Sequence, residues 1–176
     1  MTAKYFKNYQ ITQGAILENF IVFSMTEDDA AESSAIKEIL LPYCVIVSQA
    51  CDIEQSNNYT GFLPNIMILP LYTLDSFKDG EHLEKCGYSG IKQEPFGNKK
   101  IEKLVKNSEY SRYHFLQKES GFIEHDIVAD FKHYYTIPKG LVVNQFEKKY
   151  VSTINYLHRE LLSQRFCNYL GRIGLP

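Results

Sequence analysis

The run Pro42-Tyr43-Cys44-Val45-Ile46-Val47-Ser48-Gln49 decides how the chain is read. A continuous β-branched stretch of this kind is typical of a strand buried on both faces, where no polar alternation is needed. It stops at Cys51-Asp52-Ile53-Glu54-Gln55-Ser56-Asn57-Asn58. There Asp, Ser and Asn side chains bond nearby backbone and favour a turn.

Outward from this strand, the pattern alternates between extended runs and irregular connections. GAILENFIVFSM, Gly14 to Met25, suits a strand that Gly14 introduces through a turn or bulge. Thr26 to Lys37, rich in Asp, Glu, Ala and Ser, reads as an exposed loop or short helix. NIMILPLYT, Asn65 to Thr73, is a further strand whose Pro70 implies an edge position or a bulge. Leu74 to Asn98 is the least regular part, and a helix is expected from Asn98, with Ile101, Leu104 and Val105 on one face. SRYHFLQ (Ser111–Gln117) and HDIVADFKHYYTIP (His125–Pro138) read as two more strands. A long helical pattern then runs from Tyr150 to about Leu170, stopped by Gly171. The expectation is a single α+β domain over residues 1–176: a small twisted barrel or half-barrel with a long C-terminal helix and two loop or helix insertions.

Composition narrows the class. Net charge is −2 and 44% of residues are hydrophobic, which excludes a disordered chain and a basic surface extending over the whole protein. The four cysteines form no C-x-x-C pair, and His82-x-Glu84 near Cys86 lacks the paired thiols of a zinc site, so no metal or cofactor is expected. No apolar stretch approaches the ~18 residues that span a bilayer, and the N-terminus lacks the apolar core of a signal peptide. The simplest reading is a reduced cytoplasmic protein with no membrane partner. Arginine is scarce: Arg112 stands alone, and Arg159, Arg165 and Arg172 crowd the end.

Several phrases together resemble the MazF/PemK toxin family. They are Gly14-Ala15-Ile16, Pro42 followed by CVIVSQ, ILPLYT ending at Thr73, and HDIVADFKHYYTIPKGLV before a C-terminal helix. The likeness covers roughly Gly14–Met25, Pro42–Thr73 and Ser111–Leu170. It implies an SH3-like barrel, often a homodimer, whose active members cleave single-stranded RNA in bacterial toxin–antitoxin systems. Their chemistry uses an Arg just before the Pro of the second strand and a Thr at the end of the third. Thr73 matches the latter, whereas Leu41 precedes Pro42. Losing such a cationic donor typically slows a reaction about a hundred- to a thousand-fold.

Four constellations carry candidate chemistry. Ser48, Gln49, Cys51 and Asp52 cluster at the end of a buried strand, where sites are commonly built. Cys51 is there either a nucleophile with Asp52 beside it, needing a nearby His, or a small apolar residue next to a turn former. Arg112 and His114 share a strand face and suit a phosphate or a carboxylate, or else form an ordinary polar edge. Asp130-Phe131-Lys132 has the D-x-K spacing of some nucleases, but that spacing is common by chance, no Pro-Asp partner precedes it, and a strand with one charged face explains Asp126, Asp130 and Lys132 fully. On the last helix, His158 and Arg165 fall near the middle of an apolar arc formed by Val151, Ile154, Leu157, Leu161, Leu162, Phe166 and Tyr169, and Arg172 would extend their row. A buried guanidinium must be paired, either with a carboxylate such as Asp52 or Asp130 or with phosphate or an acidic partner.

Three functions follow. One is a MazF-like module that no longer cleaves by the family route and binds a protein of the same operon, an antitoxin-like or anti-phage defence component, CRISPR-associated systems included, or RNA. The second is an active endoribonuclease using Thr73 with Arg112 or Arg165, or a histidine such as His114 as base. The third is an enzyme centred on Cys51 and Asp52.

Overall fold

In the computed structural model, residues 4–28, 33–53, 63–78, 80, 105–106 and 110–171 are described. Eight strands form one antiparallel sheet: β1 (Tyr5–Phe6), β2 (Ala15–Asp28), β3 (Ser33–Ile46), β4 (Asn65–Thr73), β5 (Tyr113–Leu116), β6 (Ile127–Asp130), β7 (Tyr135–Pro138) and β8 (Tyr150–Ile154). Three helices accompany it: α1 (Leu74–Lys78), α2 (Lys139–Lys149) and α3 (Tyr156–Leu170). The sheet order is β1-β8-β2-β3-β4-β6-β5, with β7 on the same edge of β4 as β6.

The run around Cys44–Val47 is buried on both faces, as its sequence predicts. Val45 and Val47 join Leu69, Leu71, Ile127, Phe131 and Ile154 in an inner core that Leu162 and Phe166 of α3 cover. Cys44 and Ile46 face the other way, into an outer core with Ile66, Ile68 and Ile137, closed by Val142 and Phe146 of α2. The two ends of the sheet curl toward each other without joining by a ladder. Side chains bridge them: Tyr5 Oη donates to the Gln117 carbonyl at 2.8 Å, the Lys4 N–H donates to Glu119 Oε2 at 3.0 Å, and Lys4 Nζ donates to Gln117 Oε1. The sheet is therefore a half-barrel with a side-chain seam between β1 and β5.

Several expectations are corrected here. Within the expected loop or short helix, 26–28 and 33–37 are strand: β2 runs to Asp28 and β3 starts at Ser33, so the two strands form a long hairpin arm, and 29–32 lie outside the described residues. Pro70 lies within a central strand. Its missing N–H is tolerated because β7 pairs with residues 65–68 of β4 and β6 with residues 71–73, leaving Leu69 and Pro70 between two partners on that edge. His125–Pro138 is two strands broken at Phe131–Tyr134, and Ile127–Asp130 is buried throughout, so it has no charged face. Tyr150–Ile154 is strand, as β-branched Val151, Thr153 and Ile154 favour. The last helix begins at Tyr156, where Asn155 Oδ1 caps the Leu157 N–H at 3.2 Å. α2, not foreseen, guards the free edge of β2: Gln145 accepts from the Ile21 N–H at 3.1 Å and donates to its carbonyl at 3.0 Å. The helix expected from Asn98 lies largely outside the described residues, of which Val105 and Lys106 are helical.

Candidate functional site

α3 packs through Leu162 and Phe166, and successive residues ~100° apart place different side chains on its two flanks. His158, Leu161 and Arg165 fall toward the seam, whereas Arg159, Ser163 and Cys167 fall toward the end of β3. A cavity lies along each flank.

The seam cavity holds about 220 Å³ between β1, β5, the end of β8 and α3. Tyr5, Phe115, Ile154 and Leu161 give it apolar and aromatic walls. Lys4, Lys106, Gln117 and His158 are its polar lining, and His114 is set into it from β5. His114 is only 3% exposed, and its Nδ1 is sealed without a hydrogen-bond partner. Burial first, then the nearby Arg165 and His158, push its pKa down to about 3, so the ring is neutral near pH 7. A sealed lone pair costs less than a sealed N–H, which assigns the proton to Nε2 rather than to the sealed Nδ1. Lys106 is offset by Asp126 at 3.7 Å and lies over the Phe115 ring at 5.6 Å. Arg165 donates to the carbonyls of Tyr110 and Tyr113 at 2.8 and 2.7 Å, and burial lowers its pKa. Its anchor is thus the free edge of β5, not Asp52 or Asp130.

Asp130 is taken by Arg112. Nε and Nη2 of Arg112 donate to the two carboxylate oxygens at 2.7 and 2.6 Å, and Asp130 is fully buried. Burial opposes the Arg112 charge, but Asp130 outweighs it and raises the pKa. His133 closes the group, 3.6 Å from Asp130, with burial lowering its pKa against the pull of that carboxylate. This bidentate fork is a structural clamp between the start of β5 and the end of β6. Thr73 ends β4, and its Oγ1 accepts from the Ser76 N–H at 3.3 Å, capping α1. The cross-strand registers Thr73↔Ile127↔Leu116 and Leu71↔Ala129↔His114 put Thr73 and His114 on one face of the sheet, two strands apart.

The second cavity, about 400 Å³, lies between α3 and the residues after β3. Cys51 sits there on a helical turn, exposed, with its thiol 3.6 Å from Gln49 Oε1 and 3.7 Å from Asp52 Oδ1. No histidine among the described residues bonds that thiol, so the base a Cys51 nucleophile needs is not supplied from them. Arg172 lies outside the described residues.

No family model matches the chain, and no curated protein matches it. Function therefore rests on the geometry.

Among the described residues, no group of three or more His, Cys, Asp and Glu side chains could hold a metal, and no helix is long and apolar enough to cross a membrane. Sequence reasoning singled out His114, His158 and Cys51 but missed Lys4, Gln117, Gln13 and Cys167. Lys4 and Gln117 are 113 positions apart and meet only because the sheet curls. The Gly14 turn was the one signal that pointed toward Gln13.

Proposed function

We propose that the chain is a MazF-like half-barrel module that binds single-stranded RNA at the seam and lacks the family's route to cutting it. One observation carries this reading: a deeply buried histidine set into a small aromatic cavity with lysines at its side. Unpaired bases are bound by stacking on aromatic rings and by hydrogen bonds to their edges. His114 Nε2–H offers a donor, the Gln117 amide is a second polar group, and Tyr5 and Phe115 supply ring surface. The volume is the share of roughly seven waters, the scale of one base rather than of a helix groove. Lys4 and Lys106 stand where flanking phosphates would pass.

Cleavage is not favoured by the same residues. Leu41, in the position the family gives to its arginine, is 1% exposed in the outer core. The Arg112 fork is occupied by Asp130, and the Thr73 hydroxyl caps a helix. A 5′-labelled pool of random 12-nucleotide RNA tests the reading. Fluorescence anisotropy is expected to show binding with a shallow salt slope, about −1.4 for two neutralised phosphates. Gels of the same samples should show uncut RNA. Cutting that Thr73→Ala or His114→Ala abolishes, or no binding at low salt, overturns it.

A second reading, an operon-encoded protein partner, is favoured by the hairpin arm, where Phe23, Leu40 and Ile36 (73% exposed) share one open face. Co-expression with the neighbouring gene product, followed by size-exclusion chromatography, should give a complex that Ile36→Asp disrupts. Separate elution of the two wild-type proteins rejects this reading.

A further inference from the structure

The groove on the other flank of α3 differs in chemistry from the seam. Its cation is Arg159, whose position is fixed by a glycine. Gly14 has φ +84°, and a Cβ built there would stand 3.1 Å from Arg159 Cδ, so the arginine stem lies directly on the Gly14 backbone. The chain needs glycine at this turn for its dihedral angle and again for that close approach. Glu160 lies 3.6 Å from the guanidinium but is largely exposed, so water screens the pair.

Besides Glu160 and the thiols of Cys51 and Cys167, the polar side chains lining the groove among the described residues are two amides and a hydroxyl. Gln13 is buried, and its Nε2 donates to Ser163 Oγ at 2.9 Å and, more weakly, to the Val47 carbonyl at 3.4 Å. Ser163 in turn donates to the Arg159 carbonyl at 3.0 Å, which ties Gln13 to the arginine's own turn of helix. Gln49 stands on the opposite wall, and Val47 and Phe166 form an apolar floor. A fixed guanidinium, glutamine amides and an apolar floor in about 400 Å³ match the end of a peptide: one carboxylate, peptide amides and one apolar side chain.

We infer that this groove is a docking site for the free C-terminal carboxylate of a peptide ending in an apolar residue. A carboxylate suits it better than phosphate because Glu160 stands beside Arg159, the only arginine lining the groove among the described residues, and repels a dianion more strongly than a monoanion. The inference is independent of RNA binding at the seam, which uses the other flank of the helix.

Two thiols make the test direct. Cys51 and Cys167 both line the groove and are exposed, whereas Cys44 is buried in the outer core. Alkylation by iodoacetamide, followed residue by residue by mass spectrometry, reports occupancy, with Cys44 as an internal check on folding. N-acetyl-Ala-Ala-Leu with a free carboxylate should slow labelling of both Cys51 and Cys167, about tenfold at ten times its dissociation constant. The same peptide as its C-terminal amide, and inorganic phosphate, should leave both rates unchanged. Arg159→Gln should remove the protection. Gln49→Ala, on an exposed turn outside the core, should weaken it severalfold while leaving the thermal melt unaltered. Equal protection by acid and amide, protection by phosphate, protection that survives Arg159→Gln, or no protection by the acid overturns the inference. If Arg159→Gln does not fold, the acid–amide comparison and Gln49→Ala decide alone.

Discussion

Lowering the pH attacks the proposed site at one identifiable atom pair. In the unfolded chain His114 titrates near 6.5, and in the folded protein burial with Arg165 and His158 nearby holds it down to about 3. A depressed folded pKa means that the unfolded state binds the proton first, so stability rises with pH across the window between the two values. That contribution is fully present above pH 6.5 and is lost as pH falls through the window. The loss is about 1.4 kcal/mol per pH unit, hence about 3 kcal/mol between pH 6.5 and 4. Carboxylates and the other histidines also titrate there, so the quantity to measure is a difference. Urea unfolding of wild type and His114→Gln at pH 7, 6, 5 and 4 gives it. The variant begins less stable or equal at pH 7, and its decline toward pH 4 should be shallower than the wild type's by about 3 kcal/mol. Parallel stability curves would refute the claim that His114 is held neutral by burial.

Other substitutions probe the elements that support the site. Arg112→Met leaves the fully buried Asp130 without its fork and should cost about 3 to 5 kcal/mol by chemical denaturation, with much of the loss regained in the Arg112→Met, Asp130→Leu pair. A catalytic Arg112 would instead leave stability untouched and abolish an activity. Gln145→Ala removes both bonds that shield the edge of β2; about 2 kcal/mol of stability should go, and the Ile21 amide should exchange faster with deuterium. Leu41→Arg introduces the arginine that the proposed MazF-like relationship would place here, but it puts a charge in the outer core, so it should unfold the protein rather than create a ribonuclease, read by circular dichroism and an RNA gel.

How much was legible in the sequence depended on whether the decisive contact was local. The run at Cys44–Val47 declared its burial because β-branched residues with no polar alternation have one stable setting, and Asn65–Thr73 was bounded correctly for the same reason. The hairpin arm is not legible because 26–28 and 33–37 have a loop-like composition, and only pairing between the two strands makes them extended. The sequence pattern starts the final helix six residues too early, at Tyr150 rather than Tyr156. Val151 and Ile154 fit its apolar period, but their β-branched preference and pairing with β1 and β2 prevail. His158 and Arg165 were placed on the packed side of α3, and they do flank its buried stripe, yet Leu157 and Leu161, read into the same arc, are half exposed. The partners of Arg112 and Arg165 were beyond reach, since which arginine meets Asp130 depends on where three strands and a helix converge.

The central claim is that a neutral His114 holds an unpaired base in the seam. Long-range ¹⁵N–¹H correlation spectra of the histidine rings test it most directly, recorded at pH 7 with and without the 12-nucleotide RNA pool. A neutral His114 carrying its proton on Nε2, a shift of that ring's signals on saturation with RNA, and RNA recovered at full length are expected. A protonated ring, the Nδ1–H tautomer, signals unmoved at saturating RNA, or shortened RNA would contradict it.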